Sequence, residues 1–285
     1  VDKFGRNYIL TVGDEDKNLV TIEPPFTIEF DITRNTLTSA NVCEINIYNL
    51  SLVKRNKLKF NISNMGEFRP VVLLAGYGDQ LVTIFNGNIS RAASFRQGVN
   101  MITQVSCFDG GFAFVNGESN LQFPAGTPTK VVIQSLIDTL PHVDNKGVIG
   151  TYIDKIPRSA SYAGNTIKNL KEITGGGFFI DNGKANALRT NEYIQQDLTP
   201  KIITSDSGLL ATPVLEQTIM HFDMVFEPQL APGNAIIMKS STVNNFNGLY
   251  KITGVKHRGM ISGAVCGTLI TTGQFFFDKL LTGVH

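Results

Sequence analysis

The sequence predicts a mainly β protein in which two β-domains flank a small α+β insert. Three observations lead there. Apolar and polar residues alternate at a period of two in the first and last thirds, as half-buried strands require. The middle third switches to helical spacing bounded by cap residues. Only 17% of the 285 residues are charged, against about a quarter in ordinary domains. β-rich folds use Thr, Val, Ile and Gly where helical ones use Glu and Lys, and a surface hidden in a partner also needs few charges. The boundaries expected are 1–115 for the first β-domain, 116–197 for the insert and 198–285 for the second β-domain.

In the first third, Phe26, Ile28, Phe30 and Ile32 alternate with Thr27, Glu29, Asp31 and Thr33, and Pro24-Pro25 blocks any earlier start. Cys43, Ile45 and Ile47 mark a second strand. Ser51 is placed to cap a short helix over 52–58. Strands follow at 71–77, 81–85 and 101–108, with Asn86-Gly87 and Gln97-Gly98 as the turns. In the middle, Thr127-Pro128 starts a helix with Thr at the N-cap and Pro at the first helical position. Its apolar face is Val131, Val132, Leu136, Ile137 and Leu140, and Pro141 ends it. A second helix begins at Asn165-Thr166 and stops at Gly175-Gly176-Gly177. Residues 178–180 and 185–188 then form a hairpin around Asp181-Asn182-Gly183. The last third carries strands at 220–226, 235–238, 249–255 and 264–271.

A weak internal repeat links the outer thirds. Val71-Val72-Leu73-Leu74 and then Phe85-Asn86-Gly87 match Ala235-Ile236-Ile237-Met238 and then Phe246-Asn247-Gly248. Each half reads strand, loop, Phe-Asn-Gly, strand, turn, strand. Two unrelated β-domains sharing hairpin chemistry would give the same match.

Several function classes are disfavoured. The net charge is 25 − 24 = +1, which argues against gripping nucleic acid through its phosphates or a polybasic membrane binder. Cys43, Cys107 and Cys266 form no CxxC pair, so no zinc or redox motif is read and buried, inert thiols are expected. No stretch of about 18 apolar residues reads as a membrane helix, and residues 1–8 hold no signal-peptide core.

Catalytic constellations are sought without success. His142, His221, His257 and His285 lack metal-ligand spacing, and His257 reads as a structural residue at a strand end. Gly175-Gly176-Gly177 follows a helix and lacks a Walker lysine, so it reads as a C-cap. Asp14-Glu15-Asp16 reads as a solvated turn. No catalytic, metal or cofactor residue is assigned, and no cofactor is expected. The one candidate site is an interface: Phe275, Phe276 and Phe277 are consecutive, and a strand cannot turn all three to one face. Burial against a subunit or partner is one reading and a tail folded on its own domain is the other.

Three segments, one from each third, resemble the baseplate hub proteins of contractile-tailed bacteriophages, the group related to phage late control protein D. They are Pro25-Phe26-Thr27-Ile28-Glu29-Phe30-Asp31-Ile32-Thr33-Arg34 with Ile45-Asn46-Ile47-Tyr48-Asn49-Leu50-Ser51, then Ser159-Ala160-Ser161-Tyr162-Ala163-Gly164-Asn165-Thr166 leading to Gly176-Gly177-Phe178-Phe179-Ile180-Asp181-Asn182-Gly183, and Gly248-Leu249-Tyr250-Lys251-Ile252-Thr253-Gly254-Val255-Lys256-His257-Arg258-Gly259. The last is similar to the family's Tyr-x-Val-x-x-Val-x-His-x-Gly strand and turn. The family often has Trp in the strand after it, and this chain has no Trp.

The resemblance implies two β-barrel domains similar to the tail-tube subunit. It also implies a homotrimer whose 3 × 2 = 6 modules match the hexameric tube on one side and the trimeric spike on the other. Implied partners are the tail tube protein, the spike protein and other baseplate proteins, with tape-measure protein and DNA as transient channel contents and no membrane. The implied location is the virion baseplate, assembled in the host cytoplasm. Rival readings are a tube-terminating protein, a baseplate peptidoglycan hydrolase and a carbohydrate-binding β-sandwich.

Overall fold

The computed structural model describes residues 4–14, 17–60, 67–195, 200–217, 219–239, 246–262, 269–276 and 282–284. The chain begins with strands β1 (Arg6–Asp14), β2 (Lys17–Ile22), β3 (Ile28–Asn35) and β4 (Asn41–Tyr48). Helix α1 (Leu52–Leu58) leads to β5 (Pro70–Tyr77), β6 (Gln80–Gln97) and β7 (Asn100–Asp109). The middle holds α2 (Gly111–Asn116), β8 (Glu118–Phe123), α3 (Thr129–Ile137), β9 (Ala160–Asn165), α4 (Thr166–Ile173), β10 (Phe178–Asp181) and β11 (Lys184–Ala187). Then come β12 (Glu192–Ile194), β13 (Lys201–Ile203), β14 (Val214–Glu216), β15 (Ile219–Val225), β16 (Ala235–Met238), β17 (Gly248–Ile261), β18 (Leu269–Phe276) and β19 (Thr282–Val284).

The alternating strands form as their pattern requires. In β3, Ile28, Phe30 and Ile32 are buried, and in β4 so are Cys43, Ile45 and Ile47. Each full burial of this kind contributes about 1.5–3 kcal/mol. These residues share a core with Val71, Leu73, Phe85 and Val105. Phe226 and Ile261, from the far end of the chain, complete it. A second core lies in the middle region around Val132, Leu136, Leu170, Phe178 and Ile180. A third joins Met220, Phe222, Met224, Ile236 and Ile252.

Caps set the helix ends. The Ser51 hydroxyl accepts from the Lys54 amide (3.3 Å), and the Asn165 side chain accepts from the Lys168 amide (2.9 Å), each satisfying an orphan N–H of the first turn. Gly176, at φ 84°, donates its amide to the Lys171 carbonyl (2.9 Å) and closes α4. The start of α3 differs from expectation. Pro128 is the N-cap, and the Thr127 hydroxyl donates back to Pro124 O (2.8 Å) instead of capping. Val131, expected on the buried face, is 50% exposed. The antiparallel pairing of β8 with β9 is not legible in the sequence, because Glu118–Phe123 and Ala160–Asn165 lie on either side of α3.

Two β regions are one sheet. Among the described residues, the strand order is β14-β15-β18-β17-β3-β4-β7-β6-β5-β1-β2, with β16 on β17 and β13 on β16. The seam is β17 against β3, antiparallel from Gly254 opposite Asn35 to Ile261 opposite Ile28. The same order occurs once on each side of it. β3-β4-β7-β6-β5 in the first region corresponds to β14-β15-β18-β17-β16 in the last, and each neighbouring pair is antiparallel in both.

The correspondence extends to a bulge. The long middle strand of each set pairs with one neighbour by its first part and the other by its second. Ser90 is an extra residue between Ile89 and Arg91 in β6. Thr253 is an extra residue between Ile252 and Gly254 in β17. Such bulges bend a strand and re-aim it. The Phe-Asn-Gly motifs, in contrast, are not equivalent. Asn86-Gly87 is not a turn: it lies inside β6, opposite Val72 and Val71. Gly248 opens β17, opposite Met238. The expected turn at Gln97-Gly98 is present, with Gln97 paired to Asn100. Asn-Gly favours turns, but here β5 holds both residues in its ladder.

Candidate functional site

The most developed polar constellation sits where the β10–β11 turn meets the main sheet. The alternation that buries Ile28, Phe30 and Ile32 points Arg34 inward too, and its side chain is 2% exposed. Arg34 is satisfied by a fork. Its Nε donates to Asp181 Oδ1 (2.8 Å) and its Nη2 to Asp181 Oδ2 (2.6 Å). Its Nη1 donates to the Ile84 carbonyl (3.2 Å). Asp181 reaches it because Asn182 (φ 50°) and Gly183 (φ 76°) turn the hairpin through two left-handed residues.

Around the pair, Asn41 Nδ2 donates to Ile180 O (2.9 Å) and to Asp109 Oδ2 (3.3 Å). The Gly183 amide donates to Asp109 Oδ1 (2.9 Å). Asn86 Nδ2 donates to Asn182 O (3.1 Å), and Asn182 Nδ2 to Thr83 O (3.2 Å). The Thr38 hydroxyl donates to Phe178 O (2.8 Å). One hairpin turn is thus tied to β3, β4, β6 and β7.

The electrostatics follow from burial. Asp109 is fully buried. Desolvation first, and the neighbouring Asp181 charge second, push its carboxyl up to about 7, against the opposing pull of the Gly183 amide, Arg34 and Asn41. His257, inside β17, is fully buried and packs edge-on against Phe226 (5.5 Å). Burial, then the Arg34 charge, pull its imidazole down to about 3, and it hydrogen-bonds to the backbone of Leu230. At neutral pH it is a neutral, structural histidine, as the sequence indicated. The constellation fixes geometry and offers no exposed nucleophile.

The other side of the seam presents a polar face. Registry places Glu29, Asp31, Glu44, Asn46, Ser106 and Arg258 on one face of β3, β4, β7 and β17. Glu29 accepts from Tyr48 Oη (3.1 Å) and Asn46 Nδ2 (3.3 Å), and Glu44 from Ser106 Oγ (2.8 Å). Lys256 Nζ lies 2.9 Å from Asp31. Both signs of charge are interspersed, with no basic stripe.

The three phenylalanines singled out from the sequence fall at the end of the last long strand. The Phe275 backbone pairs with Met220 and Ile252, and Phe276 with Ile219. Phe277 lies outside the described residues, as do Glu15, Asp16 and Cys266. Cys43 and Cys107 are free, buried and directly opposite each other on β4 and β7. Sequence reading missed Arg34, Asp109 and Asp181 as a set. Arg34 carried a signal, a charge in register with a buried apolar series. Nothing in sequence joined it to an aspartate in a turn far along the chain. Among the described residues, no group of three or more His, Cys, Asp or Glu is placed to hold a metal, and no helix is long and apolar enough to cross a membrane.

The fold is shared with tail proteins. A tail protein from Neisseria meningitidis superposes with a TM-score of 0.63 at 12% identity, over 96% of this chain and 97% of that one. A 43 kDa prophage tail protein from Shewanella oneidensis gives 0.61 at 9% identity, over 95% and 96%. An E. coli type VI secretion component, described as structurally similar to bacteriophage tail proteins, gives 0.59 at 8%, over 90% and 74%. No curated protein sequence matches the chain. Residues 8–258 match the family described as baseplate hub gp41, and with that match spanning most of the sequence, the chain belongs to this family of phage baseplate hub proteins.

Proposed function

We propose that this protein is the subunit of a trimeric hub ring that joins the sixfold tail tube to the threefold spike of a contractile tail. The observation that carries the reading is the twice-used strand order, β3-β4-β7-β6-β5 and β14-β15-β18-β17-β16. A chain with two like modules presents two nearly equivalent surfaces, so three chains offer six positions to a hexamer and three to a trimer. In this reading residues 1–115 and 198–285 are tube-like β-barrel domains, and 116–197 is the insert between them. The Arg34–Asp181 junction holds the insert to the first module.

The mixed-charge face of β3, β4, β7 and β17 would line the channel. A wall without a basic stripe lets tape-measure protein and DNA pass, since each phosphate contact would retard transit. Phe275, Phe276 and Phe277 contribute to a subunit or partner contact. The role is structural, with no catalysis of its own. Beyond its own copies, its partners are the tail tube protein, the spike and neighbouring baseplate proteins.

Electron microscopy of the assembled tail tests this by copy number. Three copies in one ring between tube and spike support it, and six copies overturn it.

A further inference from the structure

A groove of about 610 Å³ between α1 and β6 shares no residue with the Arg34–Asp181 junction. We propose that it is a binding site for a small organic phosphate, whose phosphate groups sit among Arg55, Lys59 and Arg91. The inference adds a ligand to the hub reading and does not depend on how many copies form a ring.

The helix supplies one wall. Leu52, Arg55, Asn56 and Lys59 line the groove and stand at i, i+3, i+4 and i+7, which is one face of a helix. A helix lying on a sheet normally turns an apolar stripe inward. Here Leu58 is the one buried residue of α1, and the stripe toward the groove is mostly polar and basic. The C-terminal carbonyls of the helix do not need these cations. Arg69 Nη1 already donates to Lys57 O (3.1 Å) and Lys59 O (3.4 Å).

The strand supplies the other wall, and its bulge turns a third cation into the groove. Ile89 and Ala92 are both buried. Regular alternation would place Arg91 on the buried side with Ile89. The extra residue, Ser90, breaks that alternation, so Arg91 is exposed and lines the groove. Bulges re-aim side chains in this way beside functional sites. Phe60 and Ala92, joined by a pair of backbone bonds, give the groove an apolar floor next to Leu52. That surface suits the organic part of a ligand.

The charge is one-sided. The groove carries three cations and, among its described walls, no carboxylate. Among the described residues, none of the three cations makes an ion pair or a side-chain hydrogen bond. The Nε of Arg55 is buried and has no partner, and a buried donor left unmet is costly. The chain has 24 acidic residues against 25 basic ones, so the imbalance is local. Ser94 Oγ and Thr103 Oγ1, also in the walls, lie 3.0 Å apart. One proton serves that bond and the other remains to donate. Several cations with a hydroxyl match the three oxygens and double charge of a phosphate. A lone carboxylate would be satisfied by a single arginine fork. The volume falls within the range of small-molecule sites and is far more than a bare phosphate fills.

Isothermal titration calorimetry of the purified full chain with ATP, tripolyphosphate and adenosine tests the site. ATP and tripolyphosphate are expected to bind with Kd below roughly 1 mM at low salt, adenosine not detectably, and added NaCl should weaken both phosphates. Arg55→Gln and Arg91→Gln should each weaken ATP by about tenfold while keeping the wild-type urea midpoint. Arg96→Gln should leave binding unchanged, because Arg96 lies on β6 outside the groove and bonds to Gly98 O. In the wild type, ATP should protect amides of 52–60 and 90–94 from hydrogen exchange, a readout that needs no variant. Heat from neither phosphate, an affinity that both groove variants retain, or protection elsewhere in the chain overturns the proposal. So does tighter binding of a hexaglutamate peptide than of ATP, which would assign the groove to an acidic protein segment. Copy number in the tail is read separately, so failure here leaves the hub reading standing.

Discussion

Arg34 and Asp181, 147 residues apart in the chain, meet in a buried two-point ion pair with contacts of 2.8 and 2.6 Å. The pair is the only fully charged contact among the bonds described between the β10–β11 turn and the main sheet. A buried pair is a weak source of net stability, but removing one member leaves an uncompensated charge and costs about 3–5 kcal/mol. Asp181→Ala is therefore expected to lower the stability measured by urea unfolding by about that amount. Arg34→Met combined with Asp181→Leu should recover part of the loss. A cost under about 1 kcal/mol for Asp181→Ala would mean the guanidinium finds water or another acceptor, contrary to its burial.

The same junction gives a pH dependence with two opposed parts. Asp109 has its carboxyl raised from 3.8 to about 7, so the folded state binds the proton more tightly than the unfolded chain. That contribution is fully present below about pH 4 and is lost as pH rises through 7. His257 is lowered from 6.5 to about 3. Its contribution is present above 6.5 and is lost as pH falls through 3. Between about 4 and 6.5 the two slopes oppose each other, and from 6.5 to 7 the aspartate acts alone. Asp109→Asn mimics the protonated acid, keeping an acceptor for the Gly183 amide. The unfolding free energy of the wild type, measured in urea, should fall relative to that of Asp109→Asn as pH rises from 5 to 8, by a few kcal/mol at most. A difference independent of pH would refute the raised carboxyl.

Much of the local structure was legible because it depends on nearest neighbours along the chain. Ser51 and Asn165 cap where their side chains predicted, and Asp181-Asn182-Gly183 turns the hairpin. The alternation of β3, β4 and β15 decides their buried faces. What stayed hidden depends on pairing at long range. The seam between β17 and β3 cannot be read from either strand. Nor can the fate of Asn86-Gly87, where two turn residues are overruled by the ladder to β5. The repeat in the sequence rests on Phe-Asn-Gly, which the structure places at unlike positions. The true correspondence lies in strand order and in the bulges at Ser90 and Thr253, which have no shared sequence signature.

Cys43 and Cys107 face each other across β4 and β7, both buried and both free. Burial raises both thiols well above their usual range, and the thiolate is the reactive form. In a Cys266→Ser background, the folded protein at pH 8 is expected to resist an aromatic disulfide reagent over hours, with two thiols released in urea. Labelling of either cysteine within minutes in the absence of urea would mean that the strand pair opens locally. Cys43→Ser should cost about 1–3 kcal/mol, because a hydroxyl replaces a thiol in an apolar core.

Glycine substitutions separate the strand from the turn at the two Phe-Asn-Gly motifs. A methyl group at Gly87 would lie 2.5 Å from the Phe108 carbonyl oxygen and 2.9 Å from Phe85 Cζ. The Phe108 backbone is held by its pairing with Asn88 and Val42, so β6 itself must move. Gly87→Ala is expected to cost about 1–3 kcal/mol, the usual range for overpacking. At Gly248 the nearest atom to such a methyl is the Tyr250 hydroxyl at 3.3 Å, the far end of a side chain that can give way. Gly248→Ala should stay within about 0.5 kcal/mol of wild type. Gly98 tests the alternative cause. It has open space around it but a φ of +60°, so Gly98→Ala should lose about 1 kcal/mol through backbone strain and Gly98→Asn less. Urea midpoints of the four variants decide the matter. Equal costs for Gly87→Ala and Gly248→Ala would make the two motifs equivalent after all, and would move the repeat from strand order back to sequence.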